Sequence, residues 1–452
     1  MENPRRQLFS NKALITLIIP LFFESLLGVL VNMVDSMMVS SVGEAAISAV
    51  SLVGNISGVM LNLFAALAAG GAIVTSQLVG AQDPKTARHS AGQVLTMTVI
   101  ISSLLGLLCI LFNRPLLNLV FGKVEPDVME DSVTYFFYNA ASFPFLALCS
   151  AGGAIMRAQG NSKVTFYVSL LRNGVNIAGN AICIFALDMG VEGVAIPTAL
   201  CRVVGAVAIM LVVMNKKQPL RPSFRDIFRI SPKLMGRILR VGLPTAFENS
   251  LFQIGRVMTL SMITGFGTYQ IAANSTANNL TGLAVCVTTT FRLASMTVIG
   301  QCVGAKDEQQ IKENFKKLMI GEYVCNAVAA VAMILLRYPL LHLYKDLSPE
   351  TVTLAAQLMC IHLGMGIVLY PLSFMLTGPL RAANDSVFPM WVSILSMVIF
   401  RLTLAQIFCV NLGWGAPGVW WAMIVDWVCR STCFSIRWLS GAWKKKCGLA
   451  NV

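Results

Sequence analysis

Long apolar runs recur from one end of the chain to the other, separated by shorter polar segments. Each run matches the length of a bilayer-spanning helix, because roughly 20 residues rising ~1.5 Å each cover a hydrocarbon core of ~30 Å. The pattern predicts an all-α polytopic membrane protein with twelve transmembrane helices. The expected spans are residues 14–42, 46–78, 92–112, 133–155, 164–187, 191–213, 242–265, 270–300, 317–337, 352–377, 387–410 and 415–437.

The second half of the chain repeats the first at a constant offset of 224 residues, the separation of Glu24 and Glu248. Each half holds an even number of spans, so both halves enter the membrane from the same side and the repeat is parallel. We expect two pseudo-symmetric six-helix bundles, an arrangement typical of transporters. Further matched pairs are Pro20 with Pro244, Gly43 with Gly267, Asn55 with Asn279, Asp83 with Asp307, and Arg157 with Arg381.

A basic connection divides the two halves. It runs from residue 215 to residue 240, contains eight basic residues and three prolines, and is the longest connection on its side of the membrane. We therefore expect an N-terminal lobe at residues 1–214, a cytoplasmic linker at 215–240 and a C-terminal lobe at 241–452.

Charged residues are scarce, at 12% of the chain against 56% hydrophobic residues, and the net charge is +13. With the N-terminus inside, about 24 Lys and Arg fall on the inner side, about 6 within spans and about 4 outside. This bias predicts a cytoplasmic-membrane protein with both termini in the cytoplasm. The excess charge is then an orientation signal, so no nucleic-acid partner is expected. The four outer-side residues are Arg114, Lys123, Arg337 and Lys345.

Asp35 lies within the first apolar run. Even the lowest estimate for a carboxylate near the bilayer centre is about 2.5 to 3.5 kcal/mol, so a membrane acid indicates either a function or a partner. The functional hypothesis is an ion-linked carboxylate. The alternative is a structural bridge to one of two intramembrane arginines, Arg172 or Arg202.

Several motifs together resemble the multidrug and toxic compound extrusion (MATE) transporters. They are VNMVDSMMVSSVG around Asp35, VGAQD at 79 with VGAKD at 303, MRAQGNS at 156 with LRAANDS at 380, and NIAGN at 176. The resemblance covers nearly the whole chain. It implies an antiporter that exports cationic or amphipathic organic compounds against an inward flow of Na⁺ or H⁺. It further implies a monomer in contact with membrane lipid, with no cofactor besides the coupling ion.

The same resemblance implies an ion-coupling site made of Asp35, Asn176, Asn180 and Thr198. A depth estimate from the sequence supports this grouping, at ~1.5 Å per residue from the nearest outer-side charge. It puts Asp35 about 13 Å deep, Asn180 about 12 Å and Thr198 about 9 Å. The occupant would be Na⁺, with Asp35 and Asn180 as ligands, or a proton held by the carboxyl. Some members of the family have a second acid where Asn180 stands, so a single coupling ion is expected here.

Four other charged residues are candidates for a substrate cavity: Glu248, Glu24, Asp426 and Arg401. The two glutamates are repeat equivalents near the inner ends of their helices, where they could also reach interfacial water. Asp426 and Arg430 are four residues apart, a spacing that predicts a pair within one helix. Arg401 is a further candidate partner for Asp426 or Glu248.

Other classes of protein have little support in the sequence. No phosphate-binding loop of the G-x-x-x-x-G-K-[ST] type is present, which excludes ATP-driven transport within this chain. No nucleophilic triad or metal-ligand spacing occurs either, so we do not expect an enzyme. The alternative within transport is a flippase for lipids or lipid-linked precursors. A passive channel would instead show ion currents without counter-transport.

Overall fold

The structure is a computed structural model that describes residues 7–122, 125–344 and 347–449. Lys123 and Lys345, two of the four basic residues expected on the outer side, lie outside these ranges. Within the described part of the chain the regular secondary structure is helical, and strands are absent from it.

Twelve long helical segments follow one another along the chain. Among the described residues, nine segments are long and apolar enough to cross a membrane, or ten if the bent segment α4 is one span. Helices α7 and α12, which are long but less apolar, complete the set of twelve. The twelve-helix, all-α prediction is confirmed. The bounds are α1 Asn11–Ser40, α2 Glu44–Gly80, α3 Pro84–Leu111, α4 Pro126–Ala141 with Phe143–Ala158, α5 Ser162–Ala181 with Ile182–Ala186, α6 Glu192–Val213, α7 Pro232–Ile263, α8 Thr268–Gly304, α9 Glu308–Leu335, α10 Pro349–Tyr370 with Pro371–Met375 and Thr377–Ala382, α11 Val387–Ser396 continuing to Asn411, and α12 Ala416–Leu439.

The sequence repeat is also a structural repeat. Helices α2 and α8 begin and end at positions 224 residues apart, as do α3 and α9. Both repeated loops turn at a residue with positive φ, Gln82 at 57° and Lys306 at 55°. The next residue then caps the following helix, because Asp83 accepts a hydrogen bond from Thr86 N and Asp307 one from Gln310 N, each at 3.0 Å. The VGAQD and VGAKD motifs therefore specify the same helix-turn-helix joint.

The chain divides into two compact units. One, here the N-terminal unit, is Ile15–Ala246; the other, here the C-terminal unit, is Met1–Leu14 with Phe247–Val452. Each has its own apolar core, with Phe64, Phe136 and Phe143 in the first and Met359, Trp420 and Trp427 in the second. The lobe boundaries expected at residues 214 and 241 stay a prediction.

The basic connection packs against α3 before α7 begins at Pro232. The short helix Phe224–Phe228 and the residues after it bind the side chain of Gln93. Gln93 donates to the carbonyls of Asp226 and Arg229, each at 2.9 Å, and accepts from Ser231 N at 2.8 Å. These bonds satisfy backbone groups at the end of a short helix and fix the connection on α3.

Candidate ion-coupling site

The predicted site residues come from three helices of the N-terminal unit. Asp35 lies on α1, Asn176 and Asn180 lie one turn apart on the same face of α5, and Thr198 lies on α6. A glycine allows α5 and α6 to approach closely here. A Cβ added to Gly179 would lie 2.7 Å from Cβ of Pro197, so a larger residue would force the two helices apart.

The structure brings these four side chains together. Asn180, fully buried, donates from Nδ2 to Oδ1 of Asp35 at 3.1 Å. Asn176, also buried, directs one amide atom at the same carboxylate, 2.9 Å from Oδ1 and 3.0 Å from Oδ2. Its other amide atom lies 3.4 Å from Oγ1 of Thr198. Their role in ion coupling stays a prediction.

The orientation of the Asn176 amide depends on the charge of Asp35. An ionised carboxylate only accepts hydrogen bonds, so the nitrogen of Asn176 must then face it, and the amide oxygen faces Thr198. A protonated carboxyl can donate, so the amide oxygen can face it, and the nitrogen then donates to Thr198. Either arrangement fits the same atomic positions.

Further polar groups surround the site. The hydroxyl of Tyr135, a buried residue of α4, interacts with the side chains of Thr198 and Asn139. Arg202 donates to Oδ1 of Asn139 at 2.9 Å and to Oγ of Ser142 at 2.7 Å. The site thus continues from α5 and α6 into α4.

Neither arginine of the structural-bridge alternative pairs with Asp35. Arg202 is bound to Asn139 and Ser142, and the stem of Arg172 packs near Gly205 and Cys149. Among the described residues, no basic nitrogen lies within 4.0 Å of the Asp35 carboxylate. Its hydrogen-bond partners are neutral amides.

The C-terminal unit holds the opposite arrangement, a buried acid surrounded by arginines. Arg381 Nη2 lies 2.6 Å from Oε2 of Glu248, while Oε1 accepts from Ser393 at 2.9 Å and lies 3.7 Å from Nη2 of Arg430. Glu248 is 6% exposed. It is therefore a buried ion-paired group, and the sequence-based alternative that it reaches interfacial water was wrong.

Asp426 and Arg430 do form the pair that their spacing predicts, with Nη1 of Arg430 3.9 Å from Oδ2 of Asp426. Oδ1 of Asp426 also accepts from Ser396 at 2.5 Å. Arg401 makes no ion pair within 4.0 Å among the described residues, and its guanidinium lies over the ring of Phe252 at 5.0 Å. The structure thus brings Glu248 and Asp426 together around Arg430.

Glu24 occupies the repeat position of Glu248 but is half-buried. It accepts from Thr165 at 2.7 Å, and Arg157 lies 3.8 Å away. Glu24 belongs to the N-terminal unit, and within the described part of the chain it makes no hydrogen bond or ion pair with the Asp35 group.

Sequence reasoning missed two features. Glu322, a fully buried acid of α9, went unnoticed although a carboxylate inside an apolar run is visible in the sequence. Tyr135 and Asn139 were missed because nothing in the spacing of α4 distinguishes them from ordinary interfacial side chains.

Two repeated six-helix halves define a polytopic membrane protein of the transporter class. One holds a membrane acid with neutral partners, and the other holds a buried ion-pair cluster. The chain belongs to the MatE family, whose model matches residues 20–182 and 244–407. The two matched segments begin 224 residues apart, as the repeat requires. The resemblance drawn from the motifs is confirmed, and because the family consists of transporters, so is the expectation that the chain is not an enzyme.

Individual relatives match over nearly their whole length. A Bacillus subtilis protein described as "Uncharacterized transporter YisQ" is 27% identical, over 99% of this chain and 97% of its own. A Thermotoga maritima protein described as "Probable multidrug resistance protein NorM" is 24% identical, over 98% and 95%. A solved structure titled as the outward-facing conformation of a multidrug resistance MATE family transporter has a TM-score of 0.88 at 21% identity, covering 98% and 97%. This last likeness confirms the fold.

Proposed function

We propose that this protein is a cation-coupled antiporter that exports cationic or amphipathic organic compounds by alternating access, with Asp35 as the coupling carboxylate. The observation that carries the proposal is the environment of Asp35: a membrane acid bonded to neutral amides on two turns of α5 and to no basic group among the described residues. The names of the relatives, which include multidrug resistance proteins, support organic compounds as substrates. They give no support to a lipid flippase.

A carboxylate without a permanent counter-charge can exchange a small cation. In an ion pair, an arginine would already neutralise the acid, and binding a cation would leave that arginine uncompensated. No arginine or lysine of the described ranges competes in this way at Asp35, so its charge is available to a proton or Na⁺ arriving from water. Occupancy then changes the charge of the site from negative to neutral.

Asn176 relays this change to the neighbouring helix. When Asp35 is ionised, the amide donates to the carboxylate and offers its oxygen to Thr198; when Asp35 holds a proton, both roles reverse. The Thr198 hydroxyl must rotate with it, and Tyr135 is its next neighbour. Ion occupancy on α1 thereby selects between two hydrogen-bond patterns on α5, α6 and α4.

The same geometry favours H⁺ over Na⁺ as the coupling ion. A proton needs one acceptor, and the facing atom of Asn176 at 2.9 Å can provide it. A hard metal cation needs several oxygen ligands at once. For Na⁺ the amides of both Asn176 and Asn180 would have to turn their oxygens toward the cation held at the carboxylate.

The experiment is export from proteoliposomes under a single imposed gradient. We expect a pH gradient at equal Na⁺ to drive export, and Asp35→Asn to abolish it while the variant remains folded and inserted. Asp188→Asn is the matched control, because Asp188 is exposed and has a positive φ of 50°, which asparagine accommodates well. Normal export by Asp35→Asn would overturn the coupling role, and export driven by Na⁺ alone would assign Na⁺ instead.

The orientation is part of the proposal. We infer a cytoplasmic-membrane protein with both termini in the cytoplasm, a cytoplasmic connection at residues 215–240 and a monomeric functional state. The inner-side excess of Lys and Arg supports the orientation. The orientation can be tested in a background that lacks the natural cysteines, with single cysteines introduced at Lys216 or at Glu192. The measurement is the accessibility of each cysteine to a membrane-impermeant thiol reagent.

A further inference from the structure

Glu322 is a buried acid that the proposed Asp35 mechanism does not use. It lies in the middle of α9 with 0% exposure. Within the described part of the chain, neither carboxyl oxygen has a hydrogen-bond partner, and no basic nitrogen lies within 4.0 Å. The Thr288 hydroxyl, which faces it from α8, is likewise buried without hydrogen-bond geometry.

The repeat shows that the fold does not require this acid. In the N-terminal unit the position of Glu322 is taken by Thr98, which satisfies its own hydroxyl by donating to Val94 O at 2.7 Å. The positions of Thr288 and Arg292 are taken by apolar Phe64 and Ala68. The C-terminal unit therefore has three polar residues at positions where the N-terminal unit has two apolar residues and one threonine, whose hydroxyl bonds within its own helix.

Neighbouring contacts fix Glu322 in place. A Cβ on Gly321 would lie 3.0 Å from the ring of Phe291, so α8 and α9 are in close contact one residue before the acid. On the other side, Tyr323 donates to Val368 O at 3.3 Å and Asn326 to Gly366 O at 2.9 Å, which holds α9 on α10. The carboxyl cannot reach water without a rearrangement of these helices.

Arg292 connects Glu322 to the buried ion pair. Its guanidinium interacts electrostatically with Glu322, with Glu248 and with Arg381. It is the charged group that acts on Glu322 from α8. On α9 the titratable neighbours are Tyr323 and Cys325, and among the described residues of α10 no titratable group acts on the acid.

An ionised carboxylate in this position would have no hydrogen bond and no ion pair within 4.0 Å among the described residues, and only the longer-range attraction of Arg292 would offset its charge. Removing a carboxylate from water without a partner costs several kcal/mol, whereas the neutral acid avoids most of that cost. A proton satisfies the charge of the carboxylate without requiring further ligand atoms. The described residues contain no cluster of three or more His, Cys, Asp or Glu side chains that could hold a metal ion.

We propose that Glu322 is a second proton-binding site, in the C-terminal unit, whose occupancy is linked through Arg292 to the Glu248–Arg381 ion pair. When the site opens, the carboxyl O–H bond breaks, the proton leaves on a water molecule, and the carboxylate attracts Arg292. Movement of Arg292 changes the electrostatic potential at Glu248, so release of the proton from Glu322 is coupled to the Glu248–Arg381 ion pair. The inference goes beyond the Asp35 mechanism and does not rest on it.

Infrared spectra of the purified full-length protein test the proposal directly. We expect the carbonyl absorption of a protonated carboxyl at neutral pH, shifted in D₂O, in the wild type and in Asp35→Asn, and its loss in Glu322→Gln. Glu313→Gln, an exposed acid of the same helix, is the matched control and should keep the band. Absence of the Glu322 band at neutral pH would overturn the proposal.

Two further variants test the link. Arg292→Gln removes a positive charge near the acid, so the band should persist to a pH about one unit higher than in the wild type. A shift of one unit corresponds to a tenfold increase in the proton affinity of Glu322. Glu248→Gln removes a negative charge, so the band should disappear at a lower pH. An unshifted titration in both variants would refute the coupling. Because the readout is spectroscopic, a failure of the Asp35 transport experiment leaves this result interpretable.

Discussion

Nη2 of Arg381 lies 2.6 Å from Oε2 of Glu248, with the two side chains 2% and 6% exposed. At the equivalent positions of the first half, Nη1 of Arg157 lies 3.8 Å from Oε1 of Glu24, and both side chains are partly exposed. The same two positions of the repeat therefore hold a buried ion pair in one unit and a partly solvated pair in the other. This contrast allows the two environments to be compared within one protein.

Arg381→Met should destabilise the protein far more than Arg157→Met. Removing one partner of a buried pair leaves an uncompensated charge and costs about 3 to 5 kcal/mol, whereas a solvated pair contributes about 0 to 1 kcal/mol. Denaturant unfolding in detergent, followed by tryptophan fluorescence, measures both. Glu248→Gln with Arg381→Met should recover part of the loss, and equal destabilisation by the two single variants would contradict the expectation.

The helices of this fold were predictable because run length and apolar composition suffice to identify a membrane span. Their ends were not. Helix α7 begins at Pro232 and α9 at Glu308, some ten residues before the spans expected at 242 and 317. These extra turns are rich in Lys, Arg and Glu, so hydropathy ends the span where the membrane ends, while backbone hydrogen bonding continues into water.

The site was predictable only in part, for a similar reason. Depth along each helix, estimated from the nearest polar end, grouped Asp35 with the amides of α5, and those side chains do meet. The rotation of each helix about its axis and the partner of each charged side chain cannot be predicted from depth along the helix. Arg381 and Glu248 are 133 residues apart in sequence, and Arg202 turned to Asn139 instead of Asp35. Which partner an acid selects is decided by helix packing.

Asp83→Ala should weaken the start of α3 by about 1 kcal/mol, since the carboxylate accepts a hydrogen bond from Thr86 N and the loss of an N-cap has about that effect. The hydrogen bonds from Thr86 hold the pKa of this partly exposed carboxyl below its ordinary value of 3.8. The cap is thus fully effective above about pH 4 and is lost as the pH falls below it. The difference in unfolding free energy between wild type and variant should shrink in acid. Asp83→Asn, which keeps an oxygen acceptor, should show little loss at neutral pH.

Gly92→Ala should release the basic connection from α3. A Cβ at this position would lie 2.6 Å from the carbonyl oxygen of Asp226, a backbone atom that cannot move aside alone. We expect faster tryptic cleavage at Arg225, measured by limited proteolysis in detergent. Gly236→Ala on α7 is the control, since nothing lies within 4 Å of its added Cβ. There the substitution should stabilise the helix by roughly 0.5 to 1 kcal/mol and leave cleavage unchanged.

Asn180→Asp should move the pH dependence of export upward. The amide nitrogen of Asn180 lies 3.1 Å from Oδ1 of Asp35, so the variant places a second carboxylate within hydrogen-bond distance of the first. Two carboxylates that share one site cannot both ionise easily, and the pair retains a proton to a higher pH than a single acid. The pH of half-maximal export from proteoliposomes should rise by about one unit or more. Asn180→Ser, which removes the amide without adding charge, should lower the rate without that upward shift. A pH profile in Asn180→Asp identical to that of the wild type would mean that protonation of Asp35 does not limit transport.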